Sequence, residues 1–280
     1  MDKPILVGAV LYNPKVSVIW DIIGEFFQDN GCPIDTVFYT NYELQVEALL
    51  KGHIDIAWNS PLAWLDAQRQ SGSMCRAIAM RDTDRDRVSY LITKAQARIN
   101  TVEDLRGRTV AVGAKDSPQA TLIPLGLLQR HGLHLDRDVQ VRRFDLMVGK
   151  HGNHIGGELE AFKCLAAGEA DASALVDLNW QTWTQDGTIN PHEYTILATT
   201  EPFDHCCFTA RADFPPEREQ QFLRVLFSMS YDNPTHREMM DLEGLKAWVP
   251  GRTSGYGLLH EAVERQQFFA GTQPWVLSSC

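Results

Sequence analysis

TVEDLRGRTVAVGAKDSPQATLIPLGLLQRHG, residues 101–132, decides the fold. Thr101 caps a short turn with Asp104 three residues on, and TVAVG at 109–113 is an apolar, β-branched run of strand length. Ser117 is a good N-cap and Pro118 suits the first helical turn, so a helix is predicted from Pro118 to Arg130. Strand, short loop and capped helix make one βα unit. The same rhythm runs outward in both directions. Strand-like segments are ILVGAV (5–10), DTVFYT (35–40), DIAWN (55–59), SYLITKA (89–95), VQVRRF (139–144) and DASALVD (171–177). Between and after them, Val16–Gln28, Tyr42–Leu50, Leu159–Ala167 and Glu217–Ser230 have apolar stripes at helical spacing. Alternation of this kind predicts an α/β fold with mostly parallel sheets flanked by helices. The fresh start near residue 94 divides the chain into two lobes, 1–93 plus 205–280 and an inserted 94–204. The part after Pro215 reads as mostly helical, packed back on the first lobe, and residues 271–280 as a loose tail.

Composition narrows the function. The 280 residues hold 26 Lys plus Arg and 36 Asp plus Glu, a net charge of −10, which is the opposite of what nucleic-acid binding requires. The apolar run ILVGAVLY (5–12) is far short of the roughly 20 residues of a membrane span, so no membrane insertion is expected. The N-terminal residues carry neither a basic cluster nor an apolar export segment, and the six cysteines have no C-x-x-C spacing. The sequence as written therefore reads as cytoplasmic, or as periplasmic if a signal has been removed. Loops of the G-x-x-x-x-G-K-S/T, G-x-S-x-G and G-x-G-x-x-G types are missing, against nucleotide chemistry and serine hydrolysis.

In open α/β sheets ligands collect where strands end and helices begin. Three junctions stand out: VLYNPK (10–15), WNSPLAW (58–64) and VGAKDSPQAT (112–121). At the last, the N–H groups of Gln119 and Ala120 are expected to be free for an anion. At the second, Ser60 precedes Pro61, Asn59 offers an amide, and Trp58 could wall a pocket. Two further segments, LMVGKHGNHIGGE (146–158) and FDHCCFTAR (203–211), bring His151, His154, Glu158, His205 and Cys206 as candidate ligands for iron or zinc. The same histidines, as cations, would equally suit an anion.

GHIDIAWNSPLAWL (52–65), the 101–132 stretch and AFKCLAAGEADASALVD (161–177) together resemble the solute-binding proteins of phosphonate, phosphite and phosphate ABC transporters. The shared phrases are a Gly-x-x-Asp-x-Ala strand before a Pro-started helix, a strand ending in Asp-Ser, and Gly-x-x-Asp-Ala, in order over most of residues 5–250. The resemblance implies a type 2 periplasmic-binding-protein fold whose two lobes close on a small anionic or zwitterionic solute, with an ABC permease or a sensor as partner and no cofactor. It implies oxyanion contacts at Ser117 and the following amides, Asn59 and Ser60, with Tyr12 at the first junction; His154, by its charge and not by the resemblance, is the further candidate ligand contact. Asp177 falls where some members hold a ligand amine. Where members commonly continue Asp-Ser with Thr or Ser and then Gly, this chain has Pro118, Gln119 and Ala120. A divergent branch without an export signal is the expected placement. HCCF (205–208) loosely resembles the Cys-rich run of thiamine-pyrimidine precursor synthases, which implies the alternative of a cytoplasmic metal-dependent enzyme using the His/Cys set.

Overall fold

The computed structural model describes residues 3–153 and 156–270, which form two compact units. Unit 1 takes the chain up to Asp86 and again from Asp204 to Tyr256; unit 2 takes Arg87–Phe203 and Gly257–Ala270.

Unit 1 begins with β1 (Ile5–Val10), α1 (Lys15–Asp29), β2 (Ile34–Tyr39), α2 (Tyr42–Leu50), β3 (Ile56–Asn59), α3 (Pro61–Ser71) and β4 (Arg76–Arg81). In unit 2 follow β5 (Ser89–Lys94), β6 (Thr109–Val112), α4 (Ile123–Arg130), β7 (Gln140–Arg143), α5 (Gly156–Ala167), β8 (Ala172–Val176), α6 (Asp177–Gln185) and β9 (Tyr194–Thr199). The chain returns to unit 1 for β10 (Cys207–Ala210), α7 (Pro216–Phe227), α8 (Pro234–Glu243) and β11 (Trp248–Pro250), and the last described element, α9 (Gly257–Arg265), lies in unit 2.

The sheet of unit 1 has the order β11-β4-β10-β3-β1-β2, and that of unit 2 the order β7-β6-β8-β5-β9. Both are mixed rather than mostly parallel. The βα repeats give the parallel pairs β1–β2, β1–β3, β6–β7 and β6–β8, while β10 inserts antiparallel between β3 and β4, and β5 runs antiparallel between β8 and β9. An antiparallel insert needs no crossover helix, and the helix-based pattern that marks parallel strands is silent there. The same pairing puts all of β5 in unit 2, so the chain passes over at residues 86/87 and not near 94. Helix α9 also belongs to unit 2, where Gln266 Nε2 donates to Leu122 O. The expected loose tail at 271–280 lies outside the described residues.

In unit 1 the core centres on Trp20, Phe27, Trp58, Phe208, Phe222 and Trp248, which meet largely edge to face or tilted. Burial of each such ring stabilises by about 1.5–3 kcal/mol. In unit 2 one face of the sheet packs Leu91, Val110, Val112, Leu125 and Leu128, and the other Ile92, Phe162, Leu165, Leu175 and Trp183. β8 is buried throughout and β6 from Val110 to Val112, as strands covered on both faces must be. The ends of these central strands deliver the polar residues considered next.

Candidate functional site

In unit 2, β6 ends at Val112 and the chain turns through Asp116 and Ser117 into a π-turn, Pro118–Leu122, that runs on into α4. The N–H groups of Thr121 and Leu122 both donate to Ser117 O, so the first turn is wide. Ser117 Oγ accepts from Ala120 N at 3.2 Å. That bond corrects one expectation: the Ala120 amide is not free for an anion, because the cap that starts the helix has taken it. The Gln119 N–H has no acceptor among the described residues.

The segment after β7 folds over this helix start. Asp116 Oδ2 accepts from Gly149 N at 2.6 Å, and Gln119 Nε2 donates to Gly152 O at 2.9 Å. Gly152 has φ of +73°, and a Cβ there would lie 2.2 Å from Ser117 Oγ, so only glycine fits. Ser89 Oγ, at the head of β5, donates to Gln119 O at 2.6 Å and ties the helix start to the sheet. Ser117, Gln119 and Ala120 are all buried, and so is His151. His154 lies outside the described residues.

A second polar group in unit 2 surrounds the start of α6. Glu158, fully enclosed, accepts from Val176 N at 2.7 Å; burial pushes its carboxyl up to about 7, against the pull of hydrogen bonds from Asn179 and Val176. Asp177 pairs with Arg87 at 3.3 Å.

In unit 1 the strand ends carry a denser charge cluster. Arg81 closes β4 and reaches Asp84 with Nε at 2.6 Å and Nη2 at 2.7 Å, while its Nη1 meets Glu243 at 3.1 Å. Burial works to raise the Asp84 carboxyl, but the Arg81 charge and hydrogen bonds win and hold it well below the usual range. For Glu243 burial prevails and its carboxyl is raised. Tyr12 is raised by burial and then by the Glu243 charge. His205 Nδ1 stands 3.3 Å from Asp84 and 3.2 Å from Cys206 Sγ. Sequence reasoning missed Arg81, Asp84 and Glu243; the only trace was an Arg-Asp alternation in RDTDRDR (81–87), which reads as a solvated turn.

The β10–β3 register sets Cys207 opposite Asn59 and Phe208 opposite Trp58. Asn59 Oδ1 accepts from Gln45 Nε2 at 2.9 Å, and its own Nδ2, wholly buried, has no partner among the described residues. Ser60 Oγ caps α3 through Ala63 N. Trp58 sits in the core with Phe208 and Trp248, with the Arg81 guanidinium 5.4 Å from its ring centre. A groove of about 490 Å³ in unit 1 is lined by α1 and the α7–α8 connection, and none of the residues expected at the site lines it.

Among the described residues, which do not include His154, the expected iron or zinc set does not appear as one metal-like group. Among the described residues the group with metal-like spacing is Asp84, His205 and Cys206; His151 and Glu158 do not join it. Arg81 already holds both oxygens of Asp84, and burial, then the Asp84 charge, keeps Cys206 as a thiol far from thiolate. A divalent cation would have to displace a guanidinium and ionise that thiol, so the donor set does not suit one.

A family model for the periplasmic substrate-binding proteins of phosphonate ABC transporters matches residues 19–256. The chain belongs to that family. The probable ABC transporter phosphite binding protein PhnD1 of Prochlorococcus marinus (strain MIT 9301) is 21% identical over 235 residues, covering 79% of this chain and 74% of PhnD1. The structure of PhnD1 in complex with methylphosphonate aligns over 95% of this chain and 98% of its own, with a TM-score of 0.69 and 16% identity. XAC2383 from Xanthomonas citri bound to ATP aligns over 96% and 100%, with a TM-score of 0.72 and 18% identity. The periplasmic aliphatic sulphonate binding protein SsuA of Escherichia coli aligns over 98% and 95%, at 0.61 and 15%. At these identities the neighbours establish the two-lobe periplasmic-binding-protein fold of this phosphonate-family member.

Proposed function

We propose that the chain is a periplasmic receptor that binds a small solute through an oxyanion and presents it to the permease of an ABC transporter. The observation that carries this reading is the unfilled Gln119 N–H at a buried, capped helix start in a member of the phosphonate family. Such an amide, aligned with the helix dipole, stabilises an anion without placing a formal charge in the site. PhnD1, a relative, is a phosphite-binding protein by name and is seen with methylphosphonate. Tyr12, Asn59, Ser60, Ser117 and Asp177 enter the proposal as the positions that match the family's motifs, Trp58 as a pocket wall and His154 as a cation for the anion. The helix N-terminus, an uncharged donor, also suits an acidic protein: at −10 the chain attracts no anion at long range, and recognition has to be local.

Titration calorimetry with phosphite, methylphosphonate, phosphate and methanesulfonate tests the reading. At least one of these oxyanions should bind, and Ser117→Leu, which fills the space beside the helix start, should abolish that binding while the melt remains cooperative. Absence of heat and of any thermal shift with all four oxyanions would refute the reading.

A further inference from the structure

The groove of unit 1 is an open space that the oxyanion reading leaves unused. Its walls are Ile22 and Phe26 on α1, with Met229 from the α7–α8 connection and Met239 from α8, around about 490 Å³. Ile22 and Phe26 are only partly covered by the core beneath, and Val18, one turn earlier, is 51% exposed. Val18, Ile22 and Phe26 stand at i, i+4 and i+8, an apolar row that begins outside the groove and runs into it. A second row runs beside it. Asp21, Glu25 and Asp29 are exposed and spaced in the same way, about 12 Å from first to last. Glu25 and Asp29 line the groove, and none of the three carboxylates meets a cation among the described residues. The neutral polar groups of the lining are engaged within the protein: Asn233 Oδ1 accepts from Thr235 N, His236 Nδ1 accepts from Ser230 N, and Asn30 Nδ2 donates to Phe26 O. What the groove offers a partner is therefore apolar surface and negative charge.

That charge is badly placed for the helix that carries it. α1 has no acidic residue in its first turn and no basic residue in its last, so Glu25 and Asp29 sit towards the negative end of its dipole, and like charges stand four residues apart. Both arrangements cost helix stability, and both are relieved by cations from outside. A local rule broken without an internal remedy, beside an open apolar groove, marks a surface kept for a partner. We propose that this face of unit 1 docks a basic, amphipathic helix of another protein, whose apolar side chains enter between α1 and α8 and whose Lys or Arg side chains pair with Asp21, Glu25 and Asp29. The two rows favour a helix over a small cation, because they continue past the groove to Val18 and Asp21 with the period of a facing helix. Methionines suit the floor, since their unbranched side chains adapt to whatever apolar group arrives. The assignment is independent of the oxyanion site in unit 2.

The probe is a synthetic helix of about four turns, with Leu along one face and Lys on its flanks, titrated into the full chain and followed by fluorescence anisotropy. A scrambled peptide of the same composition and spermidine serve as comparisons. The amphipathic peptide should bind the wild-type chain, and the other two severalfold more weakly. Glu25→Gln together with Asp29→Asn, both at exposed positions, should weaken the peptide by about 3- to 30-fold, the range for losing two exposed ion pairs. Asp35→Asn together with Glu217→Gln removes the same charge from exposed positions elsewhere in unit 1 and should leave the affinity within about twofold. The methyl resonances of Met229 and Met239 should shift on binding, and that of Met80, buried in β4, should not. Equal weakening by the two double variants would mean attraction by net charge alone. Equal affinity for the scrambled peptide or spermidine would mean that no apolar face is read, and unmoved Met229 and Met239 signals that the peptide sits elsewhere. Each of these results overturns the assignment, as does a wild-type chain that does not bind the amphipathic peptide.

Discussion

Arg81 is the residue on which most of the unit 1 charge depends. Its guanidinium serves two enclosed carboxylates, Asp84 and Glu243, and also lies over the Trp58 ring. Arg81→Met leaves Asp84 buried without its cation, and denaturant unfolding should show a loss of about 3–5 kcal/mol, the range for breaking a buried pair on one side. Glu158 gives the opposite case. Its carboxyl is raised by burial from 4.5 to about 7, so the folded state holds a proton that the unfolded chain has already released. Stability from this group is therefore complete below about pH 4.5 and falls as pH rises towards and past 7. Glu158→Gln keeps an oxygen for Val176 N and removes the charge. The variant should match the wild type at pH 5 and exceed it at pH 8 by up to about 3 kcal/mol, as thermal melts across that range would record.

Among the elements, the helix that starts at Pro118 is held from outside by the segment Gly149–Gly152 as well as from within by its own cap. Gly152→Ala would set a Cβ against Ser117 Oγ on a backbone of positive φ, at about 1–3 kcal/mol. The expected readout is faster amide exchange at Ala120 and in residues 149–152, with the sheet of unit 2 unchanged. How far such elements are legible in the sequence depends on their periodicity. β1, β6 and β8 are short apolar runs bounded by turn residues, and α2 has the bounds that its apolar spacing predicts. β4 and β9 were not foreseen: β4 is framed by Arg76 and Arg81, and β9 alternates without a strong apolar face. Their strand state is imposed by pairing with β10 and β5, and pairing is non-local information. At the site, Ser117 and Pro118 announce the helix start because caps are local chemistry. Gly152 and Arg81 could not be connected to their partners, which lie 35 residues before and 162 after in the pairs Gly152–Ser117 and Arg81–Glu243.

For the molecule as a whole, family membership rests on nearly the entire chain, residues 19–256, whereas the site rests on a few side chains within each unit. The five described cysteines, Cys32, Cys75, Cys164, Cys206 and Cys207, are all free and buried, so no covalent staple supports either unit. Each core is assembled from distant parts of the chain instead. Unit 1 needs β10, which sits between β3 and β4, and unit 2 needs α9, where Ala262 lies so close to Gly126 that a Cβ on the glycine would stand 3.0 Å from it. Order of synthesis then matters. A ribosome releasing this polypeptide has made the whole middle insertion before the strand that completes the first sheet exists, and almost everything before the helix that closes the second. Neither unit has all of its packed elements until those late segments have been made, so the final packing of both is deferred to the closing part of the described chain.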